Sequence, residues 1–264
     1  MEERKKKEVE FHNKREIDRH KLSEEEFQKK YSNKKFYSIT RKSSGYFYKL
    51  MTDFCANKTA LDYGCGLGGT SLRLAEAKAF VYGIDISDES VKTTKKLLKE
   101  NGYEKKSKIQ VMDGEKLKFK ENSFDLIVCS GVLHHLDLNY AYPELSKILK
   151  PEGKIVCAEA LGYNPIINLY RKRTLNLRTE WEADHILTLN DLKKAKTYFK
   201  KVNVRYFHLF TILAVPFRKT PIFNIILKTL EMIDSIVLKI PFVQLMAWQM
   251  IFVLSEPIKS GSKK

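Results

Sequence analysis

The feature that most constrains this chain is a glycine-rich turn between an apolar strand and a helix, in the stretch TALDYGCGLGGTSLRLA. Gly64, Gly66 and Gly69 read as G-x-G-x-x-G. Gly68 in place of Gly69 gives G-x-G-x-G, with Asp62 two residues before the first glycine. Both patterns predict a nucleotide-like ligand, because glycine lets the backbone approach a ligand closely and the following helix offers free N–H groups to anions. The glycines alone leave open whether that ligand is a pyrophosphate.

Strands and helices alternate from this turn onward. The predicted strands cover 59–64, 79–87, 108–114, 123–132 and 154–161, and the predicted helices cover 69–77, 88–102 and 139–153. This alternation predicts an α/β fold with a doubly wound, mostly parallel sheet, in which ligands bind beyond the carboxyl ends of the strands. Asp85, Asp113, Ser130 and Gly131 fall at such ends, together with the glycine turn.

The pattern changes after residue 161. An irregular polar and aromatic segment is followed by a predicted sixth strand over 202–215, a strongly apolar helix over 220–240 and a seventh strand over 245–257. For the apolar helix, an ordinary buried helix or dimer contact is the leading interpretation. A lid over a hydrophobic pocket and attachment in the plane of a membrane, favoured by the positive charge, are the alternatives.

Composition bounds the partners and the compartment. The net charge of +16 fits nucleic acid, an anionic membrane surface, an acidic ligand or merely a Lys-rich proteome. The four cysteines are scattered without a C-x-x-C pair, which predicts reduced thiols in a cytoplasmic protein and no metal site. The charged start of the chain is unlike a secretory signal, and no stretch is long and apolar enough to predict a spanning helix.

Asp62 separates the two possible ligands of the glycine turn. A carboxylate at the end of the first strand repels a pyrophosphate. At a distance of about 5 Å, this repulsion weakens binding by roughly 1 kcal/mol or more. The same carboxylate favours a ligand with an ammonium and a sulfonium, as in S-adenosylmethionine. Asp85 suits ribose hydroxyls in either case, and Asp113 can accept a hydrogen bond from an adenine amino group.

At this point the sequence resembles the class I S-adenosylmethionine-dependent methyltransferases, in the branch that contains ubiquinone-type enzymes. LDYGCGLGG, VYGIDIS, VMDGEKLKFKENSFDLIVCSGVLHHL and ELSKILKPEGKIVCAEA carry the resemblance, in that order. It implies a seven-stranded Rossmann-like sheet with the last strand as its antiparallel edge, and S-adenosylmethionine as cofactor with S-adenosylhomocysteine as product. The candidate cofactor residues are Asp62, Gly64, Cys65, Gly66, Gly68, Asp85, Ile86, Asp113, Gly114 and Ser130.

With this resemblance, three regions are predicted: an N-terminal helical cap over 1–57, a cofactor-binding core over 58–160, and a substrate-side segment over 161–264. The third supplies insertion helices and the last strands of the same sheet. Within the cap, 1–35 is expected to be helical or partly disordered, and 36–57 to form a covering helix.

The chemistry beyond the cofactor is less determined by the sequence. Transfer of an activated methyl group mainly requires alignment, and a base only when the nucleophile must lose a proton early. His135, then His134 or His185, are the candidate bases, against a purely structural role for the two neighbouring histidines. Arg171, Arg173 and Arg178 are candidate contacts to an anionic substrate or to helix ends.

The favoured function is therefore methyl transfer to an oxygen or nitrogen of a small, hydrophobic or lipid-like molecule. An RNA-modifying methyltransferase is the alternative, although no RNA-binding module and no N-P-P-[YF] motif is present. An NAD(P)-binding oxidoreductase and a binding protein without catalysis are also considered. The alternative to a purely cytoplasmic location is peripheral contact with the inner face of a membrane. The sequence identifies neither the methyl acceptor nor the oligomeric state.

Overall fold

Seven strands form one mixed sheet in the order β3-β2-β1-β4-β5-β7-β6. The structure is a computed structural model that describes residues 2–31 and 34–259. The strands are β1 Thr59–Tyr63, β2 Phe80–Asp85, β3 Ser107–Val111, β4 Phe124–Ser130, β5 Leu149–Ala160, β6 Phe199–Phe207 and β7 Gln249–Pro257. The first five strands are parallel to one another. The predicted α/β fold with a doubly wound, mostly parallel sheet is confirmed.

Eleven helices occur in the described residues. They are α1 Glu3–Lys21, α2 Glu24–Tyr31, α3 Lys34–Tyr37, α4 Arg41–Cys55, α5 Gly69–Glu76, α6 Asp88–Glu100, α7 Leu138–Ile148, α8 Pro165–Lys172, α9 Glu180–Asp184, α10 Leu189–Ala195 and α11 Phe223–Val237. The predicted cap region therefore contains four helices. The division of the chain into three regions stays a prediction.

The core lies on both faces of the sheet because alternate strand residues point to opposite sides. Leu61 and Ile127 belong to the apolar cluster that contains residues of α7 and α10. Ala60 and Val128 belong to a second cluster, which contains residues of α4, α5 and α6. Central strands buried on both faces need continuous apolar runs, and β4 has the run LIVC.

The boundary between α7 and β5 differs from the prediction. The segment 139–153 was expected to be a helix that ends in a Pro/Gly turn, but the helix ends at Ile148, and β5 begins at Leu149, which pairs with Phe124 of β4. Pro151 explains the early end, because a proline disfavours helical backbone at the residue before it.

The expectation that the seventh strand is the edge of the sheet is wrong. β7 is antiparallel, as expected, but it lies between β5 and β6 and bonds to both. Its residues Met250, Ile251, Phe252 and Leu254 are buried, which suits an internal strand. The edge is β6, where exposed side chains alternate with partly buried ones.

The sixth strand is also shorter than predicted. It ends at Phe207, and a 3-10 turn follows over Thr211–Phe217. His208 has a φ of 67°, and the buried Asp234 of α11 accepts hydrogen bonds from the backbone N–H groups of Leu209, Phe210 and Thr211. These N–H groups are thereby taken from any neighbouring strand, so the strand cannot continue.

The apolar helix is not the buried helix that the leading interpretation expected. The two acidic side chains of α11 face inward: Glu231 accepts two hydrogen bonds from Arg41, both at 2.7 Å, and Asp234 caps the turn after β6. The opposite face is exposed, with 68% of Ile225, 62% of Met232 and 67% of Ile236 accessible to solvent. None of the helices in residues 2–31 and 34–259 has the length and apolarity that a membrane crossing requires.

Candidate functional site

The glycine turn leaves β1 in backbone conformations that L side chains rarely adopt. Gly64 has a φ of 80°, and a Cβ there would lie 2.5 Å from a methyl carbon of Val132. Gly68, the N-cap of α5, has a φ of 81°, and its Cβ would lie 3.1 Å from the Cα of Thr94. Both positions therefore require glycine. A Cβ at Gly69 would meet nothing within 4 Å, so this glycine is not needed for close packing.

Two carboxylates support this turn from below and from the side. Asp62 is 1% exposed and accepts a hydrogen bond from the Ser71 hydroxyl at 2.6 Å. Burial, with a contribution from the nearby charge of Asp85, raises the pKa of Asp62 to about 7. Asp85 accepts hydrogen bonds from the backbone N–H groups of Gly66 and Ser87, each at 2.9 Å. Asp62 thus lies beneath the turn, whereas Asp85 lies at its rim.

Above the turn is a cavity of about 240 Å³, which we call the turn cavity. Most of the predicted cofactor residues line it, namely Gly64, Gly66, Asp85, Ile86, Asp113, Gly114 and Ser130, together with the candidate base His135. The remaining predicted cofactor residues are Asp62, Cys65 and Gly68, which lie behind the turn and are buried. The strand ends predicted to meet at one site therefore do meet there.

The roof of the turn cavity is helix α1, which the sequence analysis did not place at the site. Seven lining residues come from it: Arg4, Lys5, Glu8, His12, Arg15, Glu16 and Arg19. The Arg4 guanidinium donates to Glu115 at 2.6 Å and to the carbonyl of His135 at 3.0 Å. The buried residues of α1 are Lys5, Glu8 and Glu16, and all three are charged. The strong charge on every face of this segment hid the contact, since no apolar stripe marks the inward side.

Lys5 occupies the position where the sequence predicted an adenine contact. Its ammonium lies 2.8 Å from Asp113 and 2.7 Å from Glu115. Burial opposes the charge of Lys5, but these two carboxylates outweigh it and the pKa of Lys5 is raised. The other oxygen of Asp113 accepts from the backbone N–H of Glu115. Each oxygen of Asp113 therefore already has one partner within the chain, and each can accept a further hydrogen bond.

A second cavity of about 540 Å³, the adjoining cavity, shares Ser130, Gly131 and His135 with the turn cavity. One part of its wall is apolar and aromatic, and is formed by Phe27, Phe36, Ile166, Tyr170, Ile212 and Trp248. Another part is basic, with Arg15, Arg19, Arg171 and Arg178. The two cavities thus meet where β4 ends, as expected for a bound group and a second molecule that reacts with it.

His134 lines the adjoining cavity, next to the shared residue His135, and is held by a buried carboxylate. Its Nδ1 is 2.7 Å from Glu159, which also accepts hydrogen bonds from the backbone N–H groups of Val132 and Leu133. Since a carboxylate accepts, Nδ1 carries the hydrogen and Nε2 is left for other partners. Burial lowers the pKa of His134, but the charges of Glu159 and Glu182 outweigh this effect and raise it. Glu159 was missed, although an acidic residue inside the apolar run IVCAEAL signals it.

His135 makes a different contact. Its Nδ1 lies 3.0 Å from Glu8 of α1, and Glu8 also accepts a hydrogen bond from Thr179. Burial and the neighbouring His134 lower the pKa of His135. Burial raises the pKa of Glu8, but its contacts with His12 and His135 lower it by more. The pKa of Glu8 is therefore well below its usual range. His135 therefore links the roof to the junction of the cavities.

His185 is brought to neither cavity. It is exposed, its ring stacks on Trp181 with centroids 3.5 Å apart, and its Nδ1 contacts the carbonyl of Trp181. The expected substrate-side role has no support in this position. The irregular segment around it forms the short helix α9 and does not fold over the cleft at this residue.

Two groups of side chains are spaced closely enough to share a metal ion, although the sequence predicted no metal site. They are Glu8, His12 and His135, and His134, His135 and Glu182. In the first group, Glu8 lies 3.0 Å from His135 and 3.5 Å from His12. Hydrogen bonds and ion pairs within the chain already account for this spacing.

Comparison with known families gives a match over the part of the chain that builds the turn cavity. Residues 61–157 match the family described as Methyltransferase domain. This segment contains the end of β1, the glycine turn, β2, β3, β4 and most of β5. The resemblance to class I S-adenosylmethionine-dependent methyltransferases is confirmed for this segment.

Among curated proteins, the chain is 27% identical over 140 residues to the uncharacterized methyltransferase YcgJ of Bacillus subtilis, covering 48% of this chain and 55% of that protein. It is 34% identical to the ubiquinone/menaquinone biosynthesis C-methyltransferase UbiE of Rickettsia felis, covering 39% of this chain and 44% of that protein. The chain thus spans about half the length of these relatives.

Among solved structures, the chain resembles geranyl diphosphate C-methyltransferase from Streptomyces coelicolor, which was crystallised with Mg²⁺, geranyl diphosphate and S-adenosyl-L-homocysteine. The TM-score is 0.58 at 15% sequence identity, and the match covers 88% of this chain and 84% of that one. At this identity the likeness establishes the fold, which agrees with the seven-stranded sheet described above.

Alanine substitution separates the two readings of the glycine motif. Gly64→Ala is expected to lower the free energy of unfolding by about 2–4 kcal/mol, because it adds a clash with Val132 to a strained φ. Gly69→Ala is expected to change it by less than about 1 kcal/mol or to raise it, since the position is helical and open. Urea unfolding followed by circular dichroism measures both. A large loss at Gly69 would instead indicate the close packing of a dinucleotide fingerprint.

Proposed function

We propose that this chain, whose residues 61–157 belong to the methyltransferase domain family, transfers a methyl group from S-adenosylmethionine to a small molecule. The observation that carries the proposal is the turn cavity, where the glycine turn and the ends of β2, β3 and β4 meet beside a second cavity. The first cavity would hold the cofactor and the second the methyl acceptor.

The residues of the turn cavity fit this cofactor better than a dinucleotide. A nucleoside with hydroxyl, ammonium and sulfonium groups needs acceptors, and Asp85 and Asp113 lie at the strand ends of the cavity. Asp85 at the rim suits ribose hydroxyls with either ligand, so it does not separate the two. Asp62 lies beneath the turn, and the repulsion between its carboxylate and a pyrophosphate would cost roughly 1 kcal/mol or more.

The chain's own contribution to the reaction is mainly positioning. When bound, S-adenosylmethionine supplies an activated methyl group with a neutral leaving group. Ser130, Gly131 and His135 border both cavities, so the acceptor atom and the methyl carbon would be aligned across them. Bringing two reactants into such alignment accounts for a large part of an enzymatic rate. Closure of the turn cavity by α1 keeps water from this junction.

His134 is the better candidate for a base than His135. The Glu159 carboxylate orients its ring and favours the imidazolium that forms when Nε2 takes a proton. His135 is paired with Glu8 of the roof, and its lowered pKa makes it a weaker base. We therefore assign proton removal from an oxygen or nitrogen acceptor to His134, with Glu159 as its positioning residue.

The alternative functions have less support. RNA methylation would require an open basic surface with aromatic platforms, whereas the arginines of the adjoining cavity are buried or half-buried beside an enclosed apolar wall. An oxidoreductase would require a pyrophosphate on the glycine turn. A protein that binds the cofactor without catalysis differs from our proposal only in turnover.

Cofactor choice is tested by calorimetry. S-adenosylmethionine and S-adenosylhomocysteine are expected to bind, and NAD is not. Asp85→Asn should weaken binding by about 10- to 100-fold, because it removes a charged acceptor of the ribose hydroxyls. Asp88→Asn is the matched control, since Asp88 lies three residues later and pairs with Lys92 outside the cavity. Equal or tighter binding of NAD would refute the proposed function.

The role of His134 is tested by methyl transfer from labelled cofactor into an acceptor fraction of cell extract. His134→Ala and Glu159→Gln should each lower kcat by about 100-fold or more. The Gln side chain can still accept from Val132 and Leu133, but its amide donates to Nδ1 and so places the histidine hydrogen on Nε2. In the wild type the rate should fall as the pH drops through the raised pKa of His134, above 6.5. Unchanged kcat in both variants would leave alignment alone as the mechanism.

We also propose peripheral contact with an anionic membrane through α11. The described residues 217–242 carry four exposed cations, Arg218, Lys219, Lys228 and Lys239, beside the exposed apolar face. The two acidic residues in the same range, Glu231 and Asp234, are both buried and face inward. An apolar helix face with a basic rim is the pattern that binds the interface of anionic bilayers.

Vesicle sedimentation tests this contact. The protein should bind vesicles with anionic lipid at low salt and release from them at high salt, because the basic rim is screened. Met232→Glu should reduce binding several-fold, since it places a charge in the exposed apolar face. Tyr140→Glu is the control, because Tyr140 is similarly exposed but lies on α7, and it should leave binding unchanged. Failure of the wild type to bind would remove the membrane contact without affecting the proposed reaction.

A further inference from the structure

The adjoining cavity contains two arginines that are buried without full compensation. Arg171 is 8% exposed and Arg178 is 9% exposed, and both line this cavity. Neither is among the described residues that line the turn cavity. Burial of a guanidinium is costly unless its donors and its charge are matched, so the pair calls for an explanation.

Contacts within the chain fix the position of each guanidinium but use only some of its donors. One terminal nitrogen of Arg171, Nη1, donates to the carbonyl of Leu161 at 3.1 Å and to the side chain of Asn168 at 2.8 Å. Nη1 of Arg178 donates to the carbonyl of Arg171 at 2.8 Å. Among the described residues, Nη2 of Arg171 and Nε of Arg178 are buried and have no hydrogen-bond acceptor.

The charge around this pair is also incomplete. Glu182 forms an ion pair with Arg178, 3.5 Å from its Nε and without a hydrogen bond, and also lies 3.9 Å from His134. Glu159 is already committed to His134 and to two backbone N–H groups. Burial and the neighbouring charge of Arg178 lower the pKa of Arg171 to about 10. Arg19 in the same lining is paired with Glu16, so among the described lining residues Glu182 is the carboxylate that faces Arg15, Arg171 and Arg178.

Another part of the lining of the same cavity is apolar and aromatic. Phe36 stacks edge-on against Tyr170 and lies 5.8 Å from the ring of Trp248. Phe36, Ile212 and Trp248 pack against the buried cluster beneath α11. A ligand that fills this cavity therefore contacts both guanidinium groups and aromatic rings.

We propose that the adjoining cavity binds an amphiphilic anion, with its carboxylate or phosphate between Arg171 and Arg178 and its apolar body against Phe36, Tyr170 and Trp248. An oxyanion supplies the acceptors that Nη2 of Arg171 and Nε of Arg178 lack, and guanidinium groups match such oxyanions in geometry. This inference rests on the proposed function, because it specifies the class of methyl acceptor.

Titration calorimetry with a series of ten-carbon ligands tests the proposal. Decyl phosphate and decanoate share an anionic head, decanol has the same chain without charge, and inorganic phosphate has the charge without the chain. With the protein saturated with S-adenosylhomocysteine, the two anionic amphiphiles should bind with one-to-one stoichiometry and at least 10-fold more tightly than decanol or inorganic phosphate.

Substitutions at the arginines locate the effect. Arg171→Gln and Arg178→Gln should each remove most of the preference for decyl phosphate over decanol while leaving decanol binding within about 2-fold. Arg173→Gln is the matched control, because Arg173 is exposed at the end of the same helix. Arg178→Lys keeps the charge but not the planar donors, and should lose part of the preference. Melting temperatures of all variants show which of them are folded.

The outcomes are distinct. Equal binding of decanol and decyl phosphate by the wild type overturns the anionic half of the proposal without any variant. Equal binding of inorganic phosphate overturns the apolar half, and an equal loss in Arg173→Gln overturns the site. Repeating the series without S-adenosylhomocysteine separates this inference from the proposed function. If the nucleoside does not bind but the preference for anionic amphiphiles remains, the cavity assignment stands and the methyltransferase assignment fails.

Discussion

The site depends on how the chain leaves β1. It does so through a turn with positive φ at Gly64, Gly66 and Gly68, directly above a buried carboxylate. Any side chain at Gly64 would collide with Val132, which belongs to the segment that carries His134 and His135. The turn therefore sets the distance between β1 and α5. It also sets the distance between the turn itself and the end of β4. The turn cavity exists because these backbones approach each other without side chains between them.

The buried carboxylate of Glu159 has a similar role at the second cavity. It accepts hydrogen bonds from two consecutive backbone N–H groups after β4 and holds His134 with its other oxygen. One side chain on β5 thus shapes the loop and orients the histidine. The apolar wall of that cavity continues into the cluster beneath α11, whose outer face is exposed. The proposed acceptor site and the proposed membrane-binding face of α11 would therefore share one apolar cluster.

Local patterns predicted most of the fold and the strand-end residues of the site. The glycine turn, Asp85, Asp113 and Ser130 could be located because parallel strands bring their carboxyl ends to one edge whatever the connections between them. The role of α1 could not be predicted, since its contacts with Asp113 and His135 span more than 100 residues and involve charged side chains that look solvated. The end of β6 was missed because it depends on Asp234, whose contact with Phe210 spans 24 residues and is not visible in the local pattern of the strand. The predicted edge position of the seventh strand was wrong because strand order is a property of the whole sheet.

Helix α1 closes the turn cavity with charge and almost no apolar surface. Lys5, Glu8 and Glu16 are its buried residues, and each faces a partner of opposite charge or a hydrogen-bonding group. When such a helix detaches, its charges are rehydrated, and the free-energy cost of separation is small compared with that of exposing a hydrophobic face. Detachment of α1 would therefore expose mainly charged surface, which does not promote aggregation as an exposed apolar face would.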